Sequence, residues 1–423
     1  MTQKLFQIFK IKELRNKLIF IMLILVIFRI AANIPIPGVD VQQLKTFFED
    51  NQLLGMLDLF SGGGLKNISI VMMGVGPYIT ASIIMQLMTM IFPKLEQMYK
   101  EEGEAGRQKF NMWTRWLTVP LAALQAFSMI SLLRTQNIMT DLSVMNTIMI
   151  IVTATAGTVF LMWLGELITE KGLGNGVSLI IFAGIVSGLP AIVSQAIATW
   201  DSTQLFTYLS FIVISLVTIA AVVWITEGQR VIPVSFAKRI RGSRMVGGSS
   251  THLPLKVNQA GVIPIIFAMS IMVMPNTVAN LLATSSNQTV ANIANKIADL
   301  FANQIFYEGL YFVLVVSFTY FYTAVTFDPK KVAENLQKQG GFIPGIRPGV
   351  PTMDYLNYIV NRVTLAGALF LGLIAILPFI VKGVTGIQSF SVGGTGILIV
   401  VSVVIETMKQ IEAQLVMRDY EGF

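Results

Sequence analysis

Along most of this chain apolar residues neither alternate with polar ones nor recur at helical spacing on one face. They form predominantly apolar runs of about 18 residues or more, separated by polar and basic stretches. A run of that length, wound at about 1.5 Å per residue, crosses roughly 30 Å of hydrocarbon, and a helix keeps its backbone amides paired on the way. The runs predict spans at 18–36, 70–91, 116–133, 145–165, 177–198, 205–226, 260–282, 306–327, 361–381 and 391–408. The expected fold class is an all-α polytopic membrane protein with ten transmembrane helices.

Composition agrees with the pattern: 54% of the 423 residues are hydrophobic and 13% are charged, against about 25% charged in soluble domains, and mean hydropathy is +0.69. Charge then orients the spans. Of the 30 Lys and Arg residues, 24 fall in segments on the side of both termini, whereas the opposite side holds only Lys45, Lys66, Arg134, Lys296 and Lys382. The positive-inside rule makes both termini cytoplasmic, as an even number of spans requires. Residues 1–17 are basic and amphipathic and enter the first span without a small-residue cleavage site, so they are expected to lie on the inner membrane surface. Two cytoplasmic loops are long: 227–257 carries Lys238, Arg239, Arg241 and Arg244, and 328–360 carries the turn-rich GFIPGIRPG around Arg347. Arg29, near the outer end of the first span, is read equally well as a snorkelling anchor or as a functional group.

The chemistry the chain lacks narrows its function. With no cysteine and one histidine, His252, it has no means of making disulfides and almost none of clustering metal ligands. It contains no GxxxxGK[ST] phosphate loop, no HExxH and no GxSxG, so neither an enzyme nor a bound cofactor is expected. Glu166 and Glu170, beside a Gly-rich turn, read as helix-end charges.

Two internal echoes suggest how the spans are arranged. Gly74-Val75-Gly76-Pro77-Tyr78-Ile79 in the second span and Gly261-Val262-Ile263-Pro264-Ile265-Ile266 in the seventh share GVxPxI. Gly174-Asn175-Gly176-Val177 before Ile181 in the fifth matches Gly393-Gly394-Thr395-Gly396-Ile397 before Ile399 in the tenth. Both matches lie five helices apart and run in opposite directions across the membrane, which favours two inverted halves, 1–200 and 201–423. Interrupted helices at equivalent places in such halves line a central pathway, because freed backbone groups persist at membrane depth only beside protein or water. Near these breaks stand Val75, Ile79, Val177, Ile181, Ile266 and Ile399, with no Asp, Glu, Lys, Arg or His in the neighbouring segments. A secondary transporter could share this outline, but it would carry polar or ionisable groups at the breaks. An aliphatic constriction instead closes by dewetting and holds no solute.

Residues 69–86 (SIVMMGVGPYITASIIMQ) and 163–180 (WLGELITEKGLGNGVSLI) resemble two diagnostic stretches of the SecY family, as do IPIPGVD at 34–40, THLPLKVNQAGVIPIIF at 251–267, GFIPGIRPG at 341–349 and the terminal YEGF. The resemblance implies a clamshell of two five-helix halves around an hourglass pore that passes unfolded polypeptide across the bacterial cytoplasmic membrane. It places the pore ring on Val75, Ile79, Val177, Ile181, Ile266 and Ile399. A lateral gate to lipid is implied between the second and seventh spans, with Ile83, Gln86, Pro264 and Phe267 on its edges. Asp58, Leu59, Phe60, Ser61, Gly62, Gly63, Gly64, Leu65, Lys66 and Asn67 resemble the plug. Lys238, Arg239, Arg241, Arg244 and Arg347 resemble sites that engage the SecA ATPase motor or the ribosome. The other implied partners are the small membrane subunits SecE and SecG, signal-peptide-bearing polypeptides and membrane lipids; no DNA is implied.

Overall fold

A computed structural model describes residues 11–36, 61–65, 67–135, 143–198, 205–236, 239–241, 244–246, 250–283, 287–385 and 393–421. Its helices are α1 (Lys12–Ala32), α2 (Gly76–Ile91), α3 (Pro93–Lys100), α4 (Gly103–Thr135), α5 (Val144–Lys171), α6 (Gly176–Ala198), α7 (Leu205–Glu227), α8 (Ile263–Ala283), α9 (Gln288–Ala302), α10 (Gln304–Thr326), α11 (Pro329–Lys338), α12 (Val350–Thr385) and α13 (Gly393–Glu421). The class is a multi-pass helical membrane protein. Each predicted span overlaps one of these helices. Among the described residues four helical segments are both long and apolar enough to cross a membrane, five when the bent pair α2–α3 counts as one span.

The second predicted span differs most from expectation. Residues 70–75 form turns and the helix begins only at Gly76, with Pro77 in its first turn. Gly74 adopts a φ of +57°, a left-handed conformation that interrupts the helix and that glycine takes without a Cβ clash. The irregular backbone is accommodated by α5: a Cβ on Gly157 would lie 1.9 Å from the Ile70 carbonyl oxygen, so only glycine lets the two chains approach this closely. At the other end of α2, Phe92 is extended before Pro93, as steric clash with a proline ring demands, and the chain bends by 111° into α3.

Helix α4 has 33 residues, so at about 1.5 Å each it measures roughly 50 Å and outruns the hydrocarbon. Its polar first half stands beyond the apolar part, against α3, where Met85, Met98 and Phe110 form a small core. The long segment 227–257, read from sequence as a loop, is largely β-structure. Strand β1 (Gln229–Phe236) pairs antiparallel with β4 (Ser250–Lys256), while β2 (Arg239–Arg241) and β3 (Arg244–Val246) pair with each other. Ile232, Val234 and Leu255 alternate with exposed residues, the period-two pattern of a half-buried sheet, and pack on Leu356 and Val360 of α12. A two-residue strand, β5 (Gly341–Phe342), meets β1 only at Ser235 and Phe236, so Pro233 has no second neighbour whose ladder it would interrupt. In the second long segment Asp328 caps α11, its side chain accepting from the backbone N–H groups of Lys330 and Lys331.

The main core runs through α1, α2, α5, α6, α8, α10, α12 and α13. A second core joins Ile36, Leu65, Ile68 and Met72 to α4 and α5. The proposed division at 200/201 lies outside the described residues.

Candidate functional site

The two GVxPxI segments have the same local geometry. Gly74 and Gly261 take φ values of +57° and +64°, and two residues later α2 and α8 each begin with a proline in the first turn. Proline suits that position because its fixed φ is helical and its missing N–H would be unpaired there in any case. The turn between α5 and α6 is held differently. Thr169 Oγ1 donates to the Gly165 carbonyl at 2.9 Å and accepts from the Gly176 N–H at 2.9 Å, while Asn175 Oδ1 accepts from the Ser178 N–H at 3.2 Å. These bonds satisfy N–H groups that the first turn of α6 leaves free.

The breaks bring together the aliphatic residues singled out from sequence. Val75, Ile79, Ile181, Ile266 and Ile399 belong to one buried cluster, with Val177 half-buried against it. Val75 and Ile399 are sealed inside it at 0% exposure. Ile79, Val177, Ile181 and Ile266 line a cavity of about 850 Å³.

The rim of that cavity is polar, and sequence reasoning missed it. Going inward along α2 the lining passes from Gln86 and Ser82 to Ile79, and along the start of α6 from Asn175 to Ile181. Glu104, Gln108, Asn111 and Arg115 of α4 and Glu166, Thr169 and Glu170 of α5 complete the rim. Arg115 Nε donates to Glu166 Oε1 at 2.7 Å, an ion pair that joins α4 to α5 on the rim. The apolar end of the cavity offers no side-chain hydrogen bond to whatever enters.

Helix α2 packs against α8. On the seam Ile83 and Pro264 are buried, whereas Gln86 and Phe267 also line the cavity. The Gln86 amide nitrogen donates to Ser82 Oγ at 3.2 Å, and its buried carbonyl oxygen has no hydrogen-bond partner among the described residues.

Of the plug-like stretch, Asp58, Leu59, Phe60 and Lys66 lie outside the described residues. Ser61, Gly62, Gly64 and Leu65 are buried and Gly63 and Asn67 half-buried. Ser69 N–H donates to the Gly64 carbonyl at 2.8 Å, and Ile36 N–H to that of Ile68 at 2.8 Å, pinning the stretch to the chain leaving α1.

Among the basic residues Lys238 lies outside the described residues. Arg239, Arg241 and Arg244 stand on the β2–β3 hairpin. Arg347 is exposed on the turn between β5 and α12, which Ile343 and Ile346 anchor in the sheet core and the Thr352 hydroxyl closes by donating to the Arg347 carbonyl at 2.8 Å.

Helices interrupted at a shared apolar cluster beneath a polar vestibule are the anatomy of a membrane conduit. A family model described as SecY matches residues 69–408. The protein translocase subunit SecY of Streptomyces griseus is 46% identical and that of Streptomyces scabiei 44%, each over 98% of both chains; that of Mycobacterium tuberculosis is 42% identical over 97% of both. Among solved structures a protein conducting channel superposes with a TM-score of 0.62 at 19% identity, covering 94% of this chain and 91% of its own. Sec61 from the canine ribosome-channel complex gives 0.59 at 17%, with the same coverages. The chain belongs to the SecY family.

Proposed function

We propose that this chain is the channel-forming subunit of a protein translocase, conducting unfolded polypeptides across the bacterial cytoplasmic membrane and releasing apolar segments sideways into lipid. The observation that carries this reading is the aliphatic cluster at the glycine–proline breaks, closed beneath a polar vestibule. An extended chain cannot cross hydrocarbon unaided, because each unpaired amide or carbonyl costs several kcal/mol there. A wet conduit removes that cost. Its narrowest part must admit nearly any sequence, so it should bond to none, and flexible Val and Ile side chains at positions 75, 79, 177, 181, 266 and 399 close around a passing chain while limiting ions.

Segments destined for the membrane leave between α2 and α8. About 20 Leu-like residues, each favoured by roughly 0.3–0.6 kcal/mol in lipid, supply the drive. The matching left-handed glycines at 74 and 261 support two inverted halves, 1–200 and 201–423, hinged around the ring and containing ten spans. The stretch 58–67 acts as the plug. With both termini cytoplasmic, Arg347 and the β2–β3 arginines face the cytoplasm, where charge suits ribosomal phosphates or an acidic motor surface. The chain acts within a larger translocon, with SecE, SecG, SecA and the ribosome as partners, and nucleotide hydrolysis belongs to the motor.

Reconstitution tests the reading. Proteoliposomes holding the assembled complex, given motor, ATP and a secretory precursor, are expected to protect the precursor from added protease. Failure of protection, together with cation-coupled uptake of a small solute, would replace this account with that of a secondary transporter.

A further inference from the structure

Arg29 is the one charged residue of the predicted first span, and the function above leaves it without a task. A cation at this depth needs a partner. One side of its guanidinium turns inward: Nη1 donates to the Gly62 carbonyl oxygen at 2.6 Å, across 33 residues of chain. Gly62 is held at φ +69°, and a Cβ there would lie 2.5 Å from Phe28 Cζ and 3.1 Å from Gly184 Cα. The plug-like stretch therefore threads between α1 and α6, with neighbouring residues of α1 gripping one glycine, Phe28 by contact and Arg29 by charge. Three residues on, Leu65 is buried in the core shared with α4 and α5.

We propose that Arg29 is the latch that keeps the stretch Ser61–Leu65 seated in the resting channel, a positioning residue acting through the Gly62 carbonyl. The inference rests on the reading of 58–67 as a plug. A charge-assisted bond away from bulk water is strong, yet when the stretch leaves, water entering the open funnel can solvate the guanidinium, so the bond is reversible. Glycine at 62 is what allows the carbonyl to reach the cation. Any side chain would push against Phe28.

The chain has no cysteine, so a single reporter can be added. Leu65→Cys, buried at rest, is treated with a membrane-impermeant maleimide from the outer side in the assembled complex in proteoliposomes, and idle ion conductance is recorded in the same preparations. Adding Arg29→Leu is expected to raise both the labelling rate and the leak by about tenfold, the factor set by losing one charge-assisted hydrogen bond. Arg29→Lys should restore part of both, and Gly62→Ala, which displaces the same carbonyl and leaves Arg29 intact, should reproduce the effect. Labelling that stays slow in Arg29→Leu and Gly62→Ala overturns the latch and leaves Arg29 as a headgroup anchor. Labelling that rises without a rise in leak upholds the latch and overturns instead the sealing role of the stretch.

Discussion

The aliphatic waist and the Arg347 turn depend on opposite physics. At the proposed waist, Val75 and Ile399 are fully buried among other carbon atoms, and an apolar constriction of this kind holds no solute specifically. On the turn, Ile343 is buried and Ile346 half-buried, so that one charged side chain can be exposed. The waist should accordingly tolerate changes of shape and reject charge, whereas the turn should tolerate loss of packing more readily than reversal of charge. The cavity mixes both characters: the Arg115–Glu166 ion pair shares its lining with Ile79 and Ile181.

Three substitutions and one deletion sharpen that contrast, from the largest expected effect downward. Arg347→Glu would replace attraction with repulsion at the proposed docking face and is expected to lower export by at least about a hundredfold, two charge-assisted contacts' worth, while the protein stays inserted. Normal secretion in that variant would remove the docking role. Ile266→Asp puts a charge in the waist and should wet it, raising idle conductance by about tenfold or more in planar bilayers, since an unpaired buried charge costs several kcal/mol. Deleting Gly62 to Lys66 should also increase the idle leak, by about the same tenfold factor as unlatching the stretch with Arg29→Leu, and unchanged conductance would argue against a plug there. Ile79→Val, which removes one methylene and keeps the surface apolar, is expected to cost about 1 kcal/mol of stability and alter export by less than about twofold.

Much of this was legible in the sequence because spanning helices announce themselves by length: no tertiary information is needed to see that 145–165 is uncharged and mostly apolar. The aliphatic residues at the breaks were legible too, since Gly74-Val75-Gly76-Pro77 and its counterpart at 261–264 mark where a helix fails. Three features were not. Turns replace helix at 70–75 because Gly157, some 80 residues away, makes room for them. The β1–β4 pair was read as loop because flanking basic residues masked the alternation of Ile232 and Val234. The polar rim escaped notice because its defining pair, Arg115 and Glu166, is separated by 51 residues and meets only once α4 and α5 pack together.

The most direct test of the conduit uses photoreactive residues placed singly at Ile79 and Ile266, with a secretory polypeptide stalled partway through the assembled channel. The account predicts crosslinks from both positions to the translocating chain, and none when the polypeptide is released. A stalled chain that reacts at neither position would contradict the claim that unfolded protein passes through this cluster.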